Sequence, residues 1–195
     1  MMPSFDEMPA TAAWAHQGAR SGFEVAYFER TGSGHRIEGC TTAVEEGHTW
    51  CVTYDITLDS EWRTRTAHVT SRSGEGRRSV RLEADGAGHW LVNGEPAPHL
   101  DGCHDVDLES SAMTNAFPVH RLALPIGAHA ATPAAYVRAA DLSVRRLEQK
   151  YLRAPDRGSH RCFDYTAPAF DFSCRLIYDA SGLVLDYPGI AARAV

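Results

Sequence analysis

The chain has almost no lysine. Lys150 stands alone, and arginine supplies the rest of the 19 basic side chains. Against 25 acids they leave a net charge of -6. That argues against a general nucleic-acid binder, because neutralising phosphates takes a concentrated basic surface. The one basic run, Arg72 to Arg81, is broken by Glu75 and glycines and reads as a solvated hairpin. No stretch approaches the roughly 20 apolar residues of a membrane-spanning helix. The opening MMPSFDEMPATAAW has neither a basic start nor an apolar run, so no secretory signal is expected. The 5 cysteines are odd in number, widely spaced and form no CxxC. They read as reduced thiols of a cytoplasmic protein, not as a zinc site or a redox pair. There is no GxGxxG, no P-loop and no GxSxG elbow. No cofactor and no catalytic set is assigned.

What is present is a long series of strand patterns. At 195 residues and 44% apolar content the chain suffices for one domain, 1–195, with 1–15 expected as a flexible leading segment. In HTWCVTYDITL, Trp50, Val52, Tyr54 and Ile56 share one face, and Cys51, Thr53, Asp55 and Thr57 the other. Asn93-Gly94 is a hairpin dipeptide, since both positions tolerate positive φ. Phe170 to Tyr178 alternates in the same way. The alanine-rich Ala134 to Ala140 reads as a short helix, and Leu142 to Leu152 fits either period. About ten strands at 8–12-residue spacing, without βαβ alternation, predict an all-β fold. The form expected is a large antiparallel barrel or strongly curved half-barrel, with an apolar cavity and one or two short helices.

The densest polar segment is LDGCHDVDLESSAMTNAFPVHRLAL, residues 100–124, read as strand, turn and strand. His99, Asp101, Cys103, His104 and Asp105 could supply metal ligands, but the mixture suits no metal especially well, and none is assigned. Ser110 or Ser111 with His120 lacks any triad signature, and Cys103 reads as a buried structural thiol.

The same run resembles the hallmark of the bacterial putative glycolipid-binding family. The family pattern is approximately G-C-x-D-V-D-L, then S-P-x-T-N-T-L-P-I-R-R-L. Gly102, Cys103, Asp105, Val106, Asp107 and Leu108 match the first part. Ser111, Thr114, Asn115, Pro118, Arg121 and Leu122 match the second, while Ala112, Ala116, Phe117, Val119 and His120 depart from it. Trp62-Arg63-Thr64-Arg65, the Asp85-Gly86-x-Gly88-x-Trp90 turn and the run from Asp179 to Pro188 extend the likeness over about residues 15–190. The resemblance implies a barrel similar to periplasmic lipoprotein carriers, and a lipid or glycolipid-like ligand. On that reading Arg121, Asn115 and His120 face the polar head group, and Trp50 and Tyr54 line the apolar part. An alternative makes Asp105, Asp107, His120 and Arg121 the acid, base and anion-binding groups of an enzyme, if they converge in one pocket. A third reading is structural: Asn115 caps the turn, Pro118 fixes it, and Arg121 neutralises Asp105 or Asp107 as a bidentate pair.

Overall fold

The computed structural model describes residues 5–18 and 20–194. A first meander comprises β1 (Thr11–His16), β2 (Arg20–Thr31), β3 (Gly34–Glu45), β4 (His48–Asp59), β5 (Thr64–Ser73), β6 (Gly76–Ala84), β7 (Trp90–Val92) and β8 (Glu95–Pro96). An inner segment follows. It holds β9 (Asp105–Leu108), a 3-10 turn at Met113–Asn115, helix α1 (Ala116–Leu122), β10 (His129–Ala131), β11 (Ala134–Val137) and β12 (Val144–Leu147). The chain returns as β13 (Lys150–Arg157), β14 (His160–Ala167), β15 (Phe172–Tyr178), β16 (Val184–Tyr187) and β17 (Ala191–Arg193).

β17 pairs antiparallel with β1, and this joins the two meanders into one 14-stranded sheet running from β10 to β8. β8 and β10 are not paired with each other, so the sheet is open. Its edges are blunt: two residues including Pro96 at one end and three residues at the other. One apolar cluster contains Trp14 of β1, Ile37 of β3, Val69 of β5, Trp90 of β7 and Ala191 of β17. All of them pack with Leu100, Val106, Met113, Phe117 and Val137 of the inner segment. A sheet whose distant strands share one core must curl around that core. The hallmark run is therefore the plug of a barrel-like sheet.

Polar side chains of the sheet reach inward to hold the plug. Thr64 Oγ1 accepts from the Val106 amide at 3.0 Å, and Thr41 Oγ1 donates to the Ser110 carbonyl at 2.8 Å. Trp90 Nε1 donates to the Cys103 carbonyl at 2.9 Å. These bonds satisfy buried backbone groups that the ladders leave over.

Three expectations are corrected. The leading segment is not loose to residue 15: Thr11–His16 is β1, and the Trp14 side chain is fully buried. Residues 1–4 lie outside the described residues. The second half of the hallmark is a 3-10 turn and a helix instead of a strand. Ala116, Phe117, Pro118 and Val119 are all buried, and a short apolar run buried all round carries no period to betray a helix. Pro118 lies in the first turn, where no intrahelical amide bond is lost. The alanine-rich Ala134–Val137 is a strand, parallel to β9 and antiparallel to β12. Two partners override its helix propensity. A parallel pair thus exists, in a separate sheet of three strands.

Candidate functional site

Two cavities flank the plug and share no lining residue. The larger, of about 1140 Å³ and partly open to solvent, lies near the C-terminal end of α1. Its apolar wall comes from Phe28, Ile37, Trp62, Val119, Leu124 and Phe163; its charge is mixed, with Arg30, Arg153 and Arg161 beside Asp6, Glu7, Glu29 and Asp156. The smaller, about 250 Å³, includes Arg20 at the other end of β2. Ten residues of strand separate Arg20 from Arg30, about 33 Å at 3.3 Å per residue.

Trp62 is the conformational exception of the first cavity. Its φ is 64, a left-handed value that costs a bulky side chain, and its amide donates to the Asp59 carbonyl at 3.0 Å. The indole is stacked between two imidazoles, with ring centroids 4.2 Å from His35 and 3.8 Å from His120. Burial pushes His120 down to about 3, with a backbone bond to Ser181 pulling the other way. The ring is therefore neutral and part of the wall. Gly182, at φ +80, makes room for it: a Cβ there would stand 2.4 Å from His120 Nε2.

Of the five residues assigned to a ligand from sequence, His120 alone lines this cavity; Asn115 lines the smaller one. Arg121 lines neither. Its Nε donates to Asp105 Oδ1 at 3.0 Å, and Nη2 bonds both Asp105 Oδ2 and Thr132 Oγ1. Asp105 is fully buried on β9, so the planar guanidinium supplies the bidentate counter-charge that it needs. Asn115 does not cap α1 with its side chain. Its Oδ1 accepts from Tyr151 at 2.8 Å, and its backbone carbonyl accepts from Tyr178 at 3.1 Å. Trp50 lies under the Arg20 guanidinium, 5.1 Å from the ring centroid. Tyr54 is buried; its ring leans across Gly39 and donates to Glu24 at 2.7 Å.

Glu24 is the polar anchor that sequence reasoning missed. It is fully buried, accepts from Tyr54 and Ser111 through Oε1, and accepts the Ala112 amide through Oε2 at 2.7 Å. Burial raises this carboxyl, while those hydrogen bonds pull it down. Nothing near Glu24 in the chain signals the role, because the partners on the plug lie 87 and 88 residues away.

The acid-base set proposed for an enzyme does not converge. Asp105 is tied to Arg121, Asp107 faces the smaller cavity and His120 the larger. Among the described residues no three His, Cys, Asp or Glu side chains form a metal set. His99 and Asp101 are exposed, whereas Cys103 and Asp105 are buried. Burial pushes the Cys103 thiol up to about 11, which leaves it protonated and unreactive.

An open all-β sheet curled around an inner plug, with cavities at both ends, defines a barrel-like protein. The family model described as putative glycolipid-binding matches residues 11–193, and the chain belongs to that family. It is similar to a DUF1089 family protein from Pseudomonas aeruginosa, with 34% identity over 88% of this chain and 92% of that one, and a TM-score of 0.77. A beta-barrel-like protein of the DUF1849 domain from Brucella abortus shares the fold at 10% identity, covering 97% of this chain and 96% of that one, with a TM-score of 0.51. No curated protein matches the chain significantly. Among the described residues no helix is long and apolar enough to cross a membrane.

Proposed function

We propose that the chain binds an amphiphile, a lipid or glycolipid-like molecule, in the larger cavity. The observation that carries this reading is the cavity itself. Its volume of about 1140 Å³ exceeds the roughly 300–1,000 Å³ of ordinary small-molecule pockets. Aromatic and aliphatic walls suit an acyl chain, and the mixed arginines and carboxylates of the lining suit the hydroxyl groups of a polar head group. The family description agrees with such a ligand. The contact residues on this reading are Phe28, Trp62, His120 and Phe163 in place of Trp50, Tyr54 and Arg121. The five free thiols fit a reducing compartment, and a cytoplasmic carrier is part of the same proposal.

Phe28→Glu tests the reading. A carboxylate in the apolar wall is expected to weaken binding of a fluorescent acyl probe at least tenfold, about 1.4 kcal/mol. Tyr27, the next residue on β2, is 60% exposed on the opposite face. Tyr27→Glu is expected to leave the affinity unchanged. Equal affinities for wild type and Phe28→Glu would remove the cavity from consideration.

A further inference from the structure

The smaller cavity has its own chemistry. Tyr136, Tyr165, Phe170, Phe172 and Tyr187 supply its aromatic lining. Tyr165, Phe172 and Tyr187 form a mutual cluster with centroid distances of 6.0 to 6.3 Å. Asp107 enters from β9, with only 9% of its surface exposed. Its Oδ1 accepts from Thr114 Oγ1 at 3.1 Å, and none of the described groups donates to Oδ2. The contrast with Asp105, two residues earlier on the same strand and paired with Arg121, is direct. A buried carboxylate without a counter-charge is costly and calls for a cation or a proton.

The remaining charges point the same way. Three carboxylates line the cavity, Glu45, Asp107 and Glu109, against the single cation Arg20. Arg20 is already engaged by Glu45 at 3.1 Å and by Glu109 at 3.5 Å. The aromatic lining accepts cations in this structure: the Arg145 guanidinium lies 5.3 Å from the Tyr136 centroid and 5.2 Å from that of Phe170. A cavity of about 250 Å³ is too small for a long acyl chain but holds a compact head group.

We propose that this cavity is a binding site for a small organic ammonium ion, with Asp107 as its counter-charge and Tyr165, Phe172 and Tyr187 as its aromatic wall. Ring quadrupoles and a desolvated carboxylate together select positive charge over mere apolar bulk. The site is independent of the amphiphile cavity.

The probe is tetramethylammonium chloride, followed on the full chain by ligand-observed saturation-transfer NMR at pH 8, where the Asp107 carboxyl is ionised, and at constant ionic strength. Binding is expected for wild type, at least tenfold weaker for the neutral near-isostere tert-butanol. Asp107→Asn is expected to weaken it at least tenfold, and Phe172→Leu to weaken it as well. Both variants should bind the acyl probe as wild type does, which shows that they are folded. No binding by wild type, equal binding by Asp107→Asn, or equal binding of tert-butanol or of methyl glucoside would each overturn the proposal.

Discussion

Replacing Arg121 by alanine is expected to destabilise the protein by about 3–5 kcal/mol and to leave acyl-probe affinity unchanged in the fraction that remains folded. The partner, Asp105, has 1% of its side chain exposed and draws its charge compensation from the Arg121 guanidinium. After truncation only the Thr132 hydroxyl would remain, 3.0 Å from Oδ2. Removing one member of a buried ion pair leaves the other charge uncompensated, and the magnitude follows from that. Arg121→Lys should recover only part of the loss, because an ammonium cannot repeat the two-pronged contact. Urea denaturation measures both variants. Were Arg121 a head-group contact instead, stability would change by no more than about 0.5 kcal/mol and affinity would fall.

Asp107→Asn should do the reverse and stabilise the chain at pH 8. Burial pushes the Asp107 carboxyl up to about 7; the Thr114 hydrogen bond pulls it down, and Asp105 and Glu109 add repulsion. The folded state therefore holds a proton that the unfolded state releases near pH 4. Between about pH 4 and pH 7 the folded state binds more protons, so wild-type stability falls as pH rises through that window and levels off above it. An asparagine has no proton to lose. The variant should match wild type near pH 4 and exceed it at pH 8 by up to about 4 kcal/mol. Denaturant midpoints across that range check the shape. A gap that does not change with pH would show that Asp107 does not carry the penalty. A residue retained at such a cost to stability is a residue expected to serve a ligand.

The alternation of β4 was legible because one face of it is buried and the other is not, and Asn93-Gly94 turns between β7 and β8 as its dipeptide requires. The run Asp105-Val106-Asp107-Leu108 also carried its meaning locally. Val106 and Leu108 enter the apolar core, and the acids between them need partners of their own. The Arg121 pair follows from that need. Helix α1 and strand β11 were not legible, since packing against the sheet and pairing with β9 decide them over propensity. The cavity walls escaped for a similar reason. Trp50, Trp62 and Trp90 look alike as strand-associated aromatics. Only the curl of the sheet sends Trp62 to the large cavity while Trp90 closes on the Cys103 carbonyl.

The four tryptophans make the most direct test. Each indole N–H gives its own resonance, and Trp62 is the one whose ring lines the larger cavity. A spin-labelled fatty acid added to the protein should broaden the Trp62 indole signal most strongly and that of Trp50, near Arg20 at the other end of the sheet, least. Broadening centred on Trp50, or an unperturbed Trp62, would contradict the placement of an amphiphile at this end of the barrel.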